Sequence, residues 1–357
     1  MSGRHRALVR GSGRIAVELR PTPRPAAGEL LVATKFAGLC GTDIQMLRGL
    51  RDDAAEVIGH EGIATVISAG AGAGPGPGTE VVVNPTHPSS ESFLLGHNVN
   101  GLLQERTLVP RDAVEAGLVL PLETAPEPEL AALLEPLSVV RYALSALQRF
   151  RPETLVVFGG GTVGRLAIRA AHRWLGPAVR TVLVHRGAEP GLTGAHTDIR
   201  TDDLGAVRGL VAVLVATPRD GTVECLRAAL GMSADSLVVD LVGGLSAGAE
   251  VPELPGVDLA AVRAANRTGF PDPPSTYTGR APNGGHVRLF GHRGVSAEHL
   301  RAAAAELVRD PGRYRDVITH VTGLGGAARI MRDLARGGDR IVDGRRLVKL
   351  AVRVGDP

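Results

Sequence analysis

Four apolar residues, Leu155-Val156-Val157-Phe158, run without a break into Gly159-Gly160-Gly161-Thr162-Val163-Gly164, and a helical pattern follows. An apolar strand, a glycine turn of G-x-G-x-x-G spacing and a helix leave few folds open. The glycines permit a tight turn, close backbone approach to a bound group, and close packing of helix on strand. In the helix that follows, Val163, Leu166, Ala167, Ala170, Ala171 and Trp174 share one face, and Arg165, Arg169 and Arg173 share the other. Further compact apolar runs lie at 181–184, 211–215, 237–239 and 287–290. They do not alternate polar with apolar, which is the pattern of parallel strands covered on both faces. With helical segments between several of them, the region from about residue 153 reads as a doubly wound α/β domain.

The glycine turn predicts a dinucleotide. Its pyrophosphate would rest on the helix N-terminus, held by Gly159, Gly161, Thr162, Val163 and Gly164. The second strand ends Val184-His185-Arg186-Gly187, and no acid follows before Glu189. An acid at this point suits the ribose hydroxyl of NAD, whereas an arginine suits the 2′-phosphate of NADP. His185 and Arg186 therefore predict NADP in preference to NAD.

The first half of the chain is strand-rich, with short runs at 30–33, 63–67 and 80–83 and a Gly/Ala/Pro turn over 69–78. Residues 130–147 are helical in period, with a kink expected at Pro136. Residues 271–285 are Pro- and Gly-rich and read as an inserted loop. At 357 residues the chain has room for two domains, and its 44% apolar and 22% charged residues are close to globular averages. No apolar run is long enough for a bilayer, and arginines interrupt the first ten residues, so no secretory segment is expected and a cytoplasmic location follows by default. Cys40 and Cys225 are the only cysteines, so no disulfide framework is implied. The net charge of +3 comes almost wholly from scattered arginines interleaved with acids, and aromatics are 3%. A nucleic-acid surface would need a clustered basic stripe, so neither a nucleic-acid nor a membrane partner is expected.

Three distant stretches carry metal-ligating residue types: Cys40-Gly41-Thr42-Asp43, Gly59-His60-Glu61 and Glu135-Pro136-Leu137-Ser138. Each alone has an ordinary alternative. Cys40 could be a small buried hydrophobe, His60-Glu61 a polar pair in a loop, and Glu135 a helix acid. Together, thiolate, imidazole and carboxylate form a borderline-soft set that suits Zn²⁺ and leaves a fourth position open.

At these residues, and at Ile318-Thr319-His320 and Leu347-Val348-Lys349-Leu350, the chain resembles the zinc-dependent medium-chain dehydrogenase/reductase family over nearly its whole length. The Glu-Pro-Leu-Ser stretch looks most like the polyol (sorbitol-type) branch. The resemblance implies a GroES-like β-barrel catalytic domain from residues 1–149 and 314–357, and a Rossmann nicotinamide-binding domain over 150–313. It implies Cys40, His60 and Glu135 as zinc ligands, with Glu61 beside the metal and able to exchange onto it. Asp43 would orient His60, and Thr42 would hydrogen-bond the substrate oxygen and begin the proton relay.

Two departures stand out. Residues 84–100 lack the four-cysteine lobe that carries a structural zinc in many relatives, so one catalytic zinc and no structural zinc is expected. Position 45 is Gln where relatives often carry a histidine. In relatives the strand end at Gly291-His292-Arg293-Gly294 passes near the nicotinamide, so His292 and Arg293 are candidate cofactor or substrate contacts. The expectation is a zinc- and NAD(P)-dependent alcohol dehydrogenase acting on a secondary alcohol or ketone of a polyol, sugar or cyclitol, assembled as a homo-dimer or homo-tetramer. The rivals are a zinc-free quinone or enoyl reductase of the same superfamily and a non-catalytic cofactor-binding protein.

Overall fold

In the computed structural model, residues 3–11, 14–185, 195, 197–199, 204–205, 207–337 and 340–355 are described. The chain divides into two units, Met1–Glu135 with Leu300–Pro357, and Pro136–His299.

The first unit is built on a sheet of strands Ile318–Gly323, Lys349–Arg353, Leu30–Gly38, Glu61–Ala69, Glu80–Val83 and Val119–Pro121 in that spatial order. Strands from the first third and from the last forty residues of the chain thus enter one sheet. Leu30–Gly38 is inward-facing along most of its length, and it also pairs with Arg106–Val109. Its register with Glu61–Ala69 shifts twice, between Leu31 and Val32 and between Thr34 and Phe36. Such bulges bend a strand and re-aim its side chains. Beyond the second shift Gly38 pairs with Glu61 on one side and Ala351 on the other. That register brings the side chains of Glu61 and Lys349 together over Gly38. A Cβ on Gly38 would lie 2.7 Å from Glu61 Oε2 and 2.8 Å from Lys349 Cε, so only glycine fits here. A hairpin of Arg4–Gly11 and Arg14–Pro21, and the helix Gly41–Leu47, were not legible in the sequence.

The second unit holds a seven-stranded sheet ordered Thr197–Ile199, Arg180–Val184, Thr154–Phe158, Leu210–Val215, Ser236–Asp240, His286–Phe290 and Tyr277–Arg280. The first six are parallel and the last is antiparallel. Every residue of Thr154–Phe158 is buried, as the unalternating apolar run requires. In chain order the parallel strands read 3-2-1-4-5-6, and the order reverses between Thr154–Phe158 and Leu210–Val215. Ligands of open α/β sheets bind outside the carboxyl ends of the strands at such a switch point.

Two expectations need correction. The loop expected over 271–285 contains the edge strand Tyr277–Arg280, whose alternately exposed, polar residues hide it from an apolar-run search. One stretch, Pro128–Gln148, is long and apolar enough to cross a membrane by length and composition, but 83% of its apolar 18-residue segment is buried within the protein. It is a core helix, and Ala131–Gln148 continues through Pro136.

Candidate metal centre and dinucleotide turn

Cys40 is the N-cap of helix Gly41–Leu47. Its Sγ accepts from the Thr42 amide at 3.5 Å, while its own amide donates to Asp43 Oδ2 at 2.8 Å. This reciprocal cap fixes the thiol at the head of the helix. Thr42 Oγ1 lies 3.7 Å from Cys40 Sγ. His60 precedes strand Glu61–Ala69 and follows Gly59, whose φ of 97° favours glycine and whose added Cβ would lie 2.8 Å from Leu103 Cγ. One ligand atom from each of Cys40, His60 and Glu61 lies within 4.8 Å of the others. Glu135 is buried beside them but stands outside that trio.

The acids around the trio are deeply buried. Asp43 is fully buried, with Oδ1 3.7 Å from His60 Nδ1. Burial raises its pKa, and Glu61 adds to the rise, while His60 and the Cys40 amide oppose it. Burial likewise pushes Glu135 up to about 7, with Glu61 raising it further and His60 and Lys349 pulling it down. Burial disfavours a charged His60, yet the Cys40 sulfur and the Asp43 and Glu61 carboxylates outweigh it and raise His60 well above its usual value. The sulfur and the carboxylates thus favour a positive charge at His60. A thiolate–imidazole–carboxylate donor set in such a pocket fits Zn²⁺, whose charge would take the place of the proton on His60.

Three groups at this centre were given no role there from the sequence. Lys349, 1% exposed, forms an ion pair with Glu61 across 288 positions of chain, and its Nζ also donates to the Leu39 carbonyl at 3.5 Å. His97 packs its ring on His60, centroids 5.1 Å apart and planes tilted by 37°. Asp53 stands 3.5 Å from His97 Nδ1 and is gripped by Arg51 through two hydrogen bonds of 2.7 and 3.1 Å. Tertiary pairing brings Lys349 to Glu61 and His97 to His60, so although Lys349 lies in a stretch that carries the resemblance, its partner could not be read there.

In the second unit the glycine turn has the geometry its spacing predicts. Gly159 has φ 110°, and a Cβ there would lie 2.5 Å from the Ala216 carbonyl at the end of the neighbouring strand. A Cβ on Gly164 would lie 1.8 Å from the Gly159 carbonyl, so helix Thr162–Trp174 can approach the turn only with glycine here. Gly161 caps the helix, and no atom lies within 4 Å of where its Cβ would be. Thr162 and Val163 begin the helix. Arg165 Nε donates to the Gly160 carbonyl at 3.0 Å, so this arginine braces the turn. The cradle fits a pyrophosphate at the switch point of the sheet.

His185 follows strand Arg180–Val184 and is half-buried. Arg186 lies outside the described residues. His292 is 3% exposed, with Nδ1 3.3 Å from Asp240 Oδ2 and its ring edge-on to Tyr142 at 4.3 Å between centroids. It is thus a buried group at adjoining strand ends rather than a surface turn. The Arg293 amide donates to the Asn266 carbonyl at 3.0 Å.

Residues 26–117 match the alcohol dehydrogenase GroES-like domain. The chain is 26% identical over 174 residues to the starvation-sensing protein RspB of Escherichia coli K12, covering 44% of this chain and 50% of RspB. It is 27% identical over 198 residues to the sorbitol dehydrogenase of Halalkalibacterium halodurans, covering 50% and 56%. The chain spans about half the length of the curated relatives it matches. The fold is shared with the crystal structure of a protein described as a short chain alcohol dehydrogenase, RspB, of Escherichia coli CFT073 complexed with NADH. There the TM-score is 0.73 at 18% identity, over 99% of this chain and 100% of that one.

Proposed function

We propose that this chain is a zinc-dependent medium-chain dehydrogenase/reductase, an NAD(P)-dependent alcohol dehydrogenase acting on a secondary alcohol or ketone. The observation that carries the reading is the clustered trio of Cys40, His60 and Glu61, in a chain that also has a glycine-cradled dinucleotide turn at a sheet switch point.

Cys40 and His60 would hold zinc, with Glu61 or Glu135 as the carboxylate. When bound, zinc would supply Lewis acidity toward a substrate oxygen and the nicotinamide would supply or accept hydride. The chain's own residues do the rest. Asp43, 3.7 Å from His60 Nδ1, would orient the ring. Thr42, whose hydroxyl sits 3.7 Å from the thiol, would hydrogen-bond the reacting oxygen and pass its proton outward. Gln45 cannot titrate, so Thr42 would be the first stop for that proton. Lys349 holds the Glu61 carboxylate beside Cys40 and His60, where Glu61 would be available to a bound metal. Residues 84–100 carry no cysteine, which supports one catalytic zinc and no structural zinc.

In the second unit, Gly159, Gly161, Thr162, Val163 and Gly164 would cradle the pyrophosphate. His185 and Arg186 would meet the adenosine ribose and favour NADP, and His292 and Arg293 would lie toward the nicotinamide end. The substrate we favour is a polyol, sugar or cyclitol. The Glu-Pro-Leu-Ser stretch supports it, as does similarity to a protein named sorbitol dehydrogenase. A homo-oligomer working in the cytoplasm is the setting we expect. The test is a screen of polyols, aminocyclitols and sugar ketones with both cofactors, followed by absorbance of the reduced nicotinamide. Turnover of a member of these classes supports the reading; no turnover with any alcohol or ketone by zinc-loaded protein would refute it.

A further inference from the structure

We propose that His97, on the cysteine-free loop that stands where many relatives carry a structural zinc, is a positioning residue for the metal ligand His60. The inference rests on the metal centre proposed above and concerns how that centre is held.

The loop grips the chain just before His60. The Gly101, Leu102 and Leu103 amides donate to the carbonyls of Val57, Gly59 and Ile58 at 2.7, 2.8 and 3.1 Å. Asn100 Oδ1 accepts from the Val57 amide at 3.0 Å. Two glycines make this approach possible: a Cβ on Gly96 would stand 2.8 Å, and one on Gly101 2.1 Å, from the Gly59 carbonyl oxygen. Backbone and side chain then act together. Beside Gly96, His97 lays its ring on the His60 ring at 5.1 Å between centroids. Asp43 Oδ1 faces Nδ1 of the same His60 ring at 3.7 Å. His60 is thus faced by a carboxylate and packed by a second ring.

The second ring is itself anchored. The His97 carbonyl accepts from the Ala55 amide at 2.7 Å, and Asp53 stands 3.5 Å from Nδ1. Asp53 is forked by Arg51, and its carbonyl accepts from the Arg10 guanidinium of strand Arg4–Gly11. A rigid brace thus runs from the N-terminal hairpin to the face of a metal ligand. Groups that orient a metal's ligands typically set metal affinity by 10- to 100-fold, because a ligand free to rotate is seldom in the binding geometry.

The experiment compares wild-type protein, His97→Ala and His97→Phe. Zinc affinity is measured by competition with a chromophoric chelator, and site geometry by the visible bands of the cobalt-substituted forms. Phenylalanine keeps the flat ring and loses the nitrogens. The proposal expects His97→Ala to bind zinc about 10- to 100-fold more weakly with altered cobalt bands. It expects His97→Phe to stay within a few-fold of wild type with bands unchanged. Wild-type zinc affinity and unaltered bands in His97→Ala would overturn it, as would a His97→Phe protein as weak as His97→Ala. If circular dichroism shows His97→Ala unfolded, His97→Gln, which fills the space without an aromatic face, is judged by the same criteria. Wild-type protein that binds no zinc would instead refute the metal centre itself, and the role of His97 with it.

Discussion

Replacing Lys349 with methionine isolates the buried ion pair at the heart of the first unit. Lys349 is 1% exposed and Glu61 2%, so neither charge has water to fall back on. Methionine fills much the same volume but leaves the Glu61 carboxylate without its counter-charge. Breaking a buried pair by removing one partner costs about 3–5 kcal/mol, whereas exchanging the pair for neutral groups is often close to neutral. For a unit of this size each kcal/mol moves the midpoint by about 2–4 °C, so metal-free Lys349→Met should melt roughly 6–20 °C below metal-free wild type. Adding Glu61→Gln to Lys349→Met should recover most of the loss, because the orphaned charge is gone. Saturating zinc should also narrow the gap, since the carboxylate regains a positive partner. The assay is thermal unfolding by circular dichroism with chelator and with zinc. A metal-free Lys349→Met protein melting within 2 °C of wild type, or a double variant less stable than the single, would refute the reasoning.

Three further outcomes follow from named residues. Thr42→Val keeps the side-chain shape and removes the hydroxyl, so kcat should fall by at least about 10²-fold with zinc content unchanged; turnover within a few-fold of wild type would send the proton by another route. Arg186→Ser should reduce the preference for NADP over NAD by roughly 10- to 150-fold, the worth of a charge-assisted hydrogen bond of about 1.5–3 kcal/mol, and an unchanged kcat/KM ratio would contradict it. Burial, with His292 and Arg141 adding to it, lowers His299 to about 4, and Ser296 Oγ bonds its Nδ1 at 2.7 Å. The unfolded chain therefore binds an extra proton between pH 6.5 and 4, so stability should fall as pH drops through that window by up to about 1.4 kcal/mol per pH unit from this group. His299→Gln should remove that part of the slope in urea melts at stepped pH, and an unchanged slope would show that His299 is not its source.

The second unit was largely legible because parallel strands buried on both faces must be apolar throughout, and the runs at 155–158, 181–184, 211–215, 237–239 and 287–290 all lie in observed strands. The edge strand Tyr277–Arg280 was not, because one buried neighbour and an open face ask for no apolar pattern. In the first unit the motifs pointed to Cys40, His60 and Glu135 with Glu61 beside them, and the fold groups Cys40 and His60 with Glu61 while Glu135 stands outside that trio. What holds them could not be read from local sequence. Lys349 reaches Glu61 only through the register that pairs Gly38 with both Glu61 and Ala351. His97 reaches His60 only because Gly96 and Gly101 let a loop with no recognisable motif press against Gly59. Such contacts depend on small residues that open space, and a glycine in sequence does not say what will fill it.

The most direct test of the account is the zinc content per chain of purified wild-type protein and of Cys40→Ala, measured by elemental analysis after exhaustive dialysis. About one zinc per wild-type chain and almost none in Cys40→Ala are expected, because Cys40 is a ligand of the one proposed site and residues 84–100 offer no second set of thiolates. Two zincs per wild-type chain, none in the wild type, or a full complement in Cys40→Ala would contradict it.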